Sequence, residues 1–471
     1  ELLFHYQEMI KELTEMETAF LPLDCEATAA VEAIAASLRF TREESARKSE
    51  AFDTVLVDRC VFAATRSAVR TFCWARGLEF VEVDLNPEEI AKHAGRVFAV
   101  LVQSPSSRGV VRDLRDAISA ANAVGARIVV GADLLACVVF RGPGAIGADL
   151  VYGAGQRFGL PASYGPINSA FLAASDQLRR YCRAATVEKI EANHSESFRL
   201  AGNVESFQSV NAFAGLVNLF YVLGRGAASL AQAATDVEEL TLLGKILLEG
   251  HGYQLLRETP GPVFGTLCLH HHDAARAARA LERQRLAPFV EDGALVLSID
   301  EAQGGKTFKK ALAALLASDR KRVLWSISSD EKLNPEDPLR RSSLPFTDLP
   351  PFADLQPEDS SISTLLCTAA KRDFVRLLSD LPNGAPPALP ELLGESAMFF
   401  VPKIDVHPFA PASLVKGSLT LLKVISEKLL KVCRMDAVTF QPNSKKLAEL
   451  ASLLAVKQFH LEQAQPNRQK I

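Results

Sequence analysis

The chain has 471 residues, of which 48% are hydrophobic and 23% are charged. This is the composition of an ordinary globular protein, and the length allows two or three domains. The formal net charge of −4 argues against nucleic acid or an anionic membrane as a partner held by bulk charge. The uninterrupted apolar runs fall far short of the roughly 20 residues that cross a bilayer, so we predict no membrane span.

The eight cysteines are scattered along the chain without a C-x-x-C pair. This spacing favours reduced, mostly buried thiols over disulfides, and it indicates an intracellular or organelle-matrix protein rather than a secreted one. The sequence opens on Glu1, directly inside an amphipathic helical pattern, and is silent on whether a targeting segment was removed.

Short apolar runs alternate with helical patterns from the amino terminus onward. The predicted helices are 2–13, 27–39, 61–76, 111–124 and 204–250, with Gly224 and Gly226 marking a break in the last. The predicted strands are 53–57, 79–83, 97–102, 127–132, 149–152 and 170–174. Apolar strands that alternate with helices are typical of a parallel sheet covered on both faces. We therefore predict an α/β fold with a doubly wound, mostly parallel sheet.

The pattern changes after residue 252. A small α+β domain is predicted from a strand at 262–269, a helix at 273–284, two strands within 288–299 joined by an Asp292-Gly293 turn, and a helix at 308–316. Frequent Pro, Ser and Asp between 328 and 390 indicate a linker, interrupted by one helix at 361–378. Helical patterns return at 414–433 and 446–456. We place the large domain at 1–235, the small domain at 236–327 and the linker at 328–392.

Two motifs invite a ligand interpretation that their surroundings do not support. His270, His271 and His272 end a strand, where successive side chains point to opposite faces, and no acidic or cysteine residue has metal-site spacing from them. We predict no metal site there. The sequence 304–307 (Gly-Gly-Lys-Thr) resembles the end of a phosphate-binding loop, but position 300 is Asp where that loop needs Gly. We interpret it as a helix N-terminus with a basic face.

Asp133 follows the strand 127–132 in the middle of the predicted sheet. Ligands of doubly wound sheets bind at the carboxyl ends of the strands, so Asp133 is a candidate ligand-binding residue. A helix cap or a hydrogen bond within the loop explains an aspartate at this position at least as well. Catalytic partners meet in space rather than in sequence, so spacing alone identifies no Ser-His-Asp or Cys-His site.

Six segments resemble, in the same order, segments of the P-protein, the glycine decarboxylase of the glycine cleavage system. They are 23–30 (Leu-Asp-Cys-Glu-Ala-Thr-Ala-Ala), 132–136 (Ala-Asp-Leu-Leu-Ala), 155–161 (Gly-Gln-Arg-Phe-Gly-Leu-Pro), 298–301 (Ser-Ile-Asp-Glu), 404–411 (Ile-Asp-Val-His-Pro-Phe-Ala-Pro) and 435–443 (Met-Asp-Ala-Val-Thr-Phe-Gln-Pro-Asn). The matches are collinear over nearly the whole chain, which makes the resemblance to this family specific.

The resemblance implies two tandem copies of a fold-type-I, pyridoxal phosphate (PLP) transferase-like unit. This chain would cover most of the first copy, the linker and, at 393–471, the start of the second copy. The family's Schiff-base lysine lies in the second copy, and Gln156 occupies the matching place in the first. An amide cannot form the aldimine with the cofactor, so the resemblance implies no catalytic residue here.

The segments that hold cofactor and substrate in the family are those that differ most in this chain. Polar family runs are lost at 200–207 and 393–400. After Gln441 and Asn443, the family's glycine-containing phosphate run reads Ser-Lys-Lys-Leu-Ala-Glu, and glycines that let the backbone approach a phosphate are gone. We interpret the following as degenerate family positions that do not function in cofactor binding: Asp133, Gln156, Asn203, His407, Gln441 and Asn443.

We therefore hypothesise a catalytically inactive P-protein relative, without a cofactor, that serves as a structural subunit of a larger assembly. The linker and the polar tail after His460 would contact its protein partners. The family further implies a mitochondrial-matrix location and a homo- or heterodimer. The alternative is the non-catalytic subunit of a PLP-dependent glycine decarboxylase, completed by a lysine-bearing chain and served by a lipoyl-bearing carrier protein.

Overall fold

The computed structural model describes residues 2–45, 52–160, 169–192, 195–202, 212–284, 288–291, 293–301, 305–319, 321, 333–334, 336–346, 416–440, 442, 445–463 and 465. These residues belong to two compact units. Those up to 346 lie in the first unit and those from 416 onward lie in the second.

A seven-stranded sheet forms the centre of the first unit, in the order β1-β7-β6-β5-β4-β2-β3. Its strands are β1 (Thr18–Ala19), β2 (Thr54–Asp58), β3 (Glu79–Val83), β4 (Val97–Ser104), β5 (Arg127–Ala132), β6 (Leu150–Ala154) and β7 (Ala170–Ala174). Strands β3, β2, β4, β5 and β6 run parallel, whereas β7 is antiparallel to both β6 and β1. The predicted α/β fold with a mostly parallel sheet is thereby confirmed, and β5 and β7 begin and end where predicted.

Helices cover both faces of this sheet. They are α1 (Leu2–Thr14), α2 (Glu26–Ser45), α3 (Ala63–Arg76), α4 (Pro87–Lys92), α5 (Arg115–Ala123), α6 (Ala136–Val139), α7 (Asp176–Arg179) and α8 (Ala212–Gly250). Val55 and Val57 belong to the apolar cluster of α2 and α3, whereas Leu56 belongs to the cluster of α1 and α5. All three are fully buried, which explains why β2 forms an uninterrupted apolar run in the sequence.

The long helix α8 leads from the large sheet to a smaller one. Gly226 has a φ of +71° inside it, so the helix breaks at the second of the two predicted glycines. Its length and the mean hydropathy of 1.3 over an 18-residue stretch make it the one helix of the described residues that could cross a membrane, by length and composition only. Core helices meet the same criterion, and Leu230, Ala234 and Val237 lie in the large apolar cluster.

A four-stranded antiparallel sheet follows α8, in the order β10-β11-β13-β12. Its strands are β10 (Gln254–Leu255), β11 (Thr266–His270), β12 (Phe289–Glu291) and β13 (Ala294–Ser298), and its helices are α9 (Ala274–Glu282) and α10 (Gly305–Ser318). Leu267 and Leu297 pack with Leu281 and Leu312 of the two helices. This is the predicted α+β arrangement, and α10 begins within the Gly-Gly-Lys-Thr sequence, as its interpretation as a helix start requires. The predicted domain limits stay predictions. The helix α8 runs through the predicted limit between the large domain, 1–235, and the small domain, 236–327.

A two-stranded hairpin, β8 (Ala185–Ala192) with β9 (Ser195–Gly202), was not predicted from the sequence. It is tied to α1 through Gln7, whose Nε2 donates to the Val187 carbonyl at 3.2 Å while its Oε1 accepts from the Val187 N–H at 2.6 Å. A buried glutamine with both amide groups paired to backbone stabilises this junction.

The described part of the second unit consists mainly of two helices, α11 (Lys416–Cys433) and α12 (Lys445–Glu462). Both were predicted. Residues 436–440 between them belong to no helix and to no sheet of the described residues.

Part of the predicted linker packs on the first unit; we call residues 336–346 the strap. Arg341 donates from its guanidinium to the carbonyl oxygens of Glu12 and Leu13 at the end of α1 and of Cys137 in α6, each at 2.7 Å. Only 8% of the Arg341 side chain is exposed. Arg340 forms an ion pair with the buried Glu238 of α8. The predicted helix at 361–378 lies outside the described residues.

We predict that Arg341→Ala lowers the free energy of unfolding by about 1–3 kcal/mol, because three carbonyl groups, two of them partly buried, lose a charged donor. The strap should also become more sensitive to limited proteolysis. Chemical denaturation and proteolysis of the same samples measure the two effects. Arg59→Ala is the matched control, since Arg59 is 57% exposed and pairs with the exposed Asp84. Equal stability of the two variants would contradict a structural role of the strap.

Candidate functional site

The parallel strands β2, β4, β5 and β6 end at one edge of the large sheet. In doubly wound folds this carboxyl edge is where ligands bind. Because Asp133 follows β5 and Gln156 follows β6 by one residue beyond Gly155, the fold brings both sequence-predicted positions to this edge. The other predicted positions, Asn203, His407, Gln441 and Asn443, lie outside the described residues.

Both carboxylate oxygens of Asp133 are engaged with protein groups. Oδ1 accepts the backbone N–H of Leu135 at 2.9 Å, which fixes the loop that enters α6. Oδ2 lies 3.4 Å from Nε of Arg157. The hydrogen bond within the loop that the sequence left open as an explanation is therefore present, together with an ion pair that spacing did not reveal.

Arg157 connects this edge to the smaller sheet, and sequence reasoning gave it no role of its own. Besides pairing with Asp133, it donates from Nη2 to the Ile299 carbonyl at 3.1 Å. Its guanidinium lies 5.7 Å from the centroid of the Phe264 ring, within reach of a cation–π interaction. The sequence signal that could have identified Arg157 was its position inside the family-like segment 155–161.

Gln156 lies in a turn that other side chains hold in shape. Its own Nε2 is 3.4 Å from the Leu160 carbonyl oxygen. Asn218 of α8, fully buried, donates from Nδ2 to the carbonyls of Gly155 at 2.8 Å and Phe158 at 2.6 Å. A Cβ on Gly155 would lie 2.3 Å from Asn218 Oδ1, so only glycine fits there. The turn is built for close packing against α8.

A buried ion pair lies at the end of β2, on the carboxyl edge of the large sheet. Nη1 of Arg112 lies 2.6 Å from Oδ2 of Asp58, and the two side chains are 7% and 3% exposed. Oδ1 of Asp58 accepts the backbone N–H of Cys60 at 2.6 Å. Burial, then the charge of Glu258, raises the pKa of Cys60 to about 12, so this thiol stays protonated and is a poor nucleophile. Asp58 was missed although it directly follows the predicted strand 53–57.

Glu26, the first residue of α2, is the titratable group of this region. Burial, and after it the charge of Asp133, raises the pKa of Glu26 from 4.5 to about 7. Burial, followed by the charge of Glu26, also raises the pKa of Tyr152, whose hydroxyl lies 3.4 Å from Gln103 Oε1. Near neutral pH this part of the edge can take up or release a proton.

The histidine triple lies elsewhere, in the smaller sheet. His271, His272 and Asp319 place their potential ligand atoms within 4.8 Å of one another. Asp319 is an acidic neighbour in space that sequence spacing did not reveal. His271 Nδ1 accepts the N–H of Asp273 at 3.0 Å and Nε2 lies 2.7 Å from Asp319 Oδ2, so neither nitrogen of His271 is open to a metal.

Asp319 is instead the centre of a hydrogen-bonded network. Tyr253 donates to its Oδ2 at 2.6 Å, and Arg276 donates to its Oδ1 at 2.8 Å. The same Arg276 Nη2 lies 3.3 Å from His272 Nε2, so a fixed positive charge occupies the space between the potential ligands. His270, exposed at the end of β11, takes no part in the group.

We predict that Arg112→Met lowers the free energy of unfolding by about 3–5 kcal/mol, because Asp58 is left buried without its partner. The double variant Asp58→Asn with Arg112→Met should recover much of this loss, since no buried charge remains. Urea denaturation of the two variants and the wild type measures both effects. If Arg112→Met had the same free energy of unfolding as the double variant, the buried ion pair would not be what stabilises this edge.

We also predict a pH effect from Glu26. Its folded-state pKa of about 7 lies above the ordinary 4.5, so its contribution to stability is full below pH 4.5 and is lost as the pH rises through 7. Glu26→Gln should flatten this part of the profile of unfolding free energy against pH. Glu8→Gln, at the surface beside Lys11, is the control. A wild-type profile without a decline between these pH values would refute the assignment.

Three comparisons with known proteins agree on the family. The model of the "Glycine cleavage system P-protein" family matches residues 1–316. The "Glycine dehydrogenase (decarboxylating)" of Photobacterium profundum is 30% identical over 488 residues, which cover 99% of this chain and 49% of that protein. The enzyme of the same name from Nitrobacter winogradskyi is 29% identical, again over 99% of this chain and 49% of its own length. The chain thus spans about half the length of these relatives.

A solved glycine decarboxylase (P-protein) of the glycine cleavage system, in inhibitor-bound form, has a similar structure. The TM-score is 0.58 at 26% sequence identity, over 67% of this chain and 75% of that one. The large sheet with its covering helices is that of the fold-type-I PLP-dependent enzymes. The resemblance inferred from six short segments is confirmed: the chain belongs to the glycine cleavage system P-protein family.

Proposed function

We propose that this chain is a non-catalytic, structural member of the P-protein family whose first unit holds no PLP. One observation carries the proposal: two pairs of oppositely charged side chains face each other at the carboxyl edge of the large sheet. Asp58 pairs with Arg112, and Asp133 pairs with Arg157. Charged groups that pair within the protein are less available to a ligand than free ones.

The described residues at this edge do not fit PLP. The cofactor is held through a lysine amine, which the amide of Gln156 cannot replace. Its phosphate needs free N–H groups or cations, yet the Asp58 carboxylate lies at the end of β2 and already accepts the Cys60 N–H. Asp133 has one oxygen bound to the Leu135 N–H and the other facing Arg157, so a protonated ring nitrogen would compete with these partners for the carboxylate.

The family-like segments serve packing instead. Segment 132–136 supplies Asp133, segment 155–161 supplies Arg157, and segment 298–301 supplies the carbonyl of Ile299 that accepts from Arg157. Such contacts explain how sequence motifs persist without the chemistry that the family performs. The proposed task is to hold protein partners in a larger assembly, with a mitochondrial-matrix location as the family implies.

A second candidate has support from the comparisons. The matched relatives are named glycine dehydrogenase (decarboxylating), and the chain spans about half their length. The chain would then be the non-catalytic part of a PLP-dependent glycine decarboxylase, with the lysine on another part. In this case, too, the edge formed by Asp58, Asp133 and Gln156 would hold no cofactor of its own.

We predict that the purified chain gives no aldimine absorbance with added PLP and no covalent adduct after borohydride reduction. The informative variant is Gln156→Lys, which restores an amine at the family position. The ion pairs of Asp58 and Asp133 remain in this variant, so we expect no active-site aldimine there either, as judged by peptide mapping of the reduced sample.

The P. profundum relative serves as the positive control for cofactor binding under the same conditions. An adduct mapped to position 156 of the variant would show that only the lysine is missing and would overturn the structural proposal. Release of carbon dioxide from glycine after adding a lysine-bearing P-protein part, at a rate above that of the part alone, would establish the second candidate.

A further inference from the structure

The strap contains a sequence pattern that the proposed function does not use. Residues 339–344 read Leu-Arg-Arg-Ser-Ser-Leu, so Arg340 and Arg341 stand three and two residues before Ser343, and a leucine follows it. The pattern Arg-Arg-x-Ser occurs once in the chain. Serine/threonine kinases with an acidic substrate groove select a hydroxyl in this setting, because their carboxylates bind the two guanidinium groups and an apolar pocket takes the residue after the acceptor.

The acceptor side of this pattern lies at the protein surface. Ser342, Ser343 and Leu344 are exposed, in a stretch that belongs to no helix and to no strand of the described residues. A kinase needs such a segment, because the serine Oγ must reach both the γ-phosphate of ATP and the catalytic carboxylate of the kinase. The hydroxyl of Ser343 therefore meets the first requirement for phosphorylation.

The two arginines that a kinase would recognise are instead bound by the fold. Arg340 pairs with the buried Glu238 of α8, and its guanidinium lies 5.4 Å from the centroid of the Phe140 ring. Arg341 donates to three backbone carbonyl oxygens from its guanidinium, and its own N–H donates to the Val139 carbonyl at 3.1 Å. The same guanidinium groups cannot bind these partners and the carboxylates of a kinase at once.

We propose that Ser343 is a phosphorylation site for an arginine-directed serine/threonine kinase, which gains access to it when the strap leaves the first unit. In this reaction the Ser343 Oγ bonds to the γ-phosphorus of ATP while the bond from that phosphorus to the bridging oxygen breaks. ADP leaves with the electron pair, and the hydroxyl proton passes to a carboxylate of the kinase. The observed rate is then the rate for a freely exposed strap multiplied by the fraction of molecules whose strap is undocked.

The phosphate also changes the docking of the strap. A phosphoserine carries about −1.5 to −2 charges near neutral pH and pairs strongly with guanidinium groups. At position 343 it offers Arg340 and Arg341 an anionic partner inside the strap itself. This partner competes with the Glu238 carboxylate and with the uncharged carbonyls that hold the docked arginines. Phosphorylation therefore favours the undocked strap, and the site is a switch for this contact.

The experiment incubates the purified full chain with MgATP and the catalytic subunit of cyclic-AMP-dependent protein kinase, an enzyme of this class. Mass spectrometry measures the phosphate on Ser343, and a synthetic peptide of residues 336–348 gives the rate for a freely exposed strap. Glu238→Gln removes the carboxylate that holds Arg340 and should raise the rate of the full chain by about tenfold. The matched control is Glu249→Gln, at a partly exposed position of the same helix, which should leave the rate unchanged.

Two variants break the same ion pair and should have opposite effects. Glu238→Gln frees the strap and keeps the kinase pattern, so phosphorylation becomes faster. Arg340→Ala frees the strap but removes one recognised guanidinium, so phosphorylation becomes slower than in Glu238→Gln and slower than in the wild type. Ser343→Ala should lose the modification, whereas Ser342→Ala should keep it. A structural role of the strap alone would make both ion-pair variants faster.

Amide hydrogen exchange of residues 336–346 in the same samples measures the undocked fraction. For the wild type this fraction should equal the ratio of the full-chain rate to the peptide rate, which tests the proposal even if Glu238→Gln does not fold. Exchange in β4 and β5 shows whether the core of each variant is intact. The undocked fraction should rise after phosphorylation.

Four results would overturn the proposal. They are a peptide that is not modified at Ser343, a full chain modified as fast as the peptide, equal rates for the wild type and a folded Glu238→Gln variant, and an undocked fraction that phosphorylation leaves unchanged. The inference goes beyond the proposed function and does not depend on it. An adduct of PLP at position 156 of the Gln156→Lys variant would refute that function and leave these rates unaffected.

Discussion

The guanidinium of Arg157 is the contact on which the arrangement of the first unit depends. It faces Asp133 at the carboxyl edge of the large sheet, donates to the Ile299 carbonyl beside β13, and lies over the Phe264 ring before β11. One side chain thus joins the two sheets that α8 connects through the backbone. Its positive charge needs a carboxylate because only 25% of the side chain is exposed to water. A ligand that took Asp133 would leave Arg157 without its partner.

Much of the fold could be predicted from the sequence, because buried parallel strands leave a strong local pattern. β5 and β7 have the predicted limits, and Gly226 breaks α8 where a glycine pair had indicated. The hairpin β8–β9 was missed, since its strands carry charged residues such as Glu188, Lys189 and Arg199 instead of a continuous apolar run. The strap was taken as linker because its ordering comes from two arginines and partners more than 100 residues away in sequence.

The candidate site was harder to predict because its contacts join residues that are far apart in the sequence. Asp133 could be placed at the carboxyl edge from topology alone, but its pairing with Arg157 depends on a turn after a different strand. Asp319 reaches His271 across 48 residues, so no local spacing contained it. Burial also decides the protonation of Glu26 and Cys60, and burial is a property of the folded chain rather than of either residue type. Residue type and order therefore predict which groups reach an edge, and packing decides what they can do there.

The strap has a consequence for synthesis of the protein on the ribosome. Helix α1 ends at Thr14, but the carbonyls of Glu12 and Leu13 accept hydrogen bonds from Arg341, far along the chain. Domains tend to fold as units while the chain emerges. Here the amino-terminal helix gains its last hydrogen bonds more than 300 residues after it has left the exit tunnel. The contribution of the strap to the stability of the first unit therefore comes only after both sheets have been synthesised.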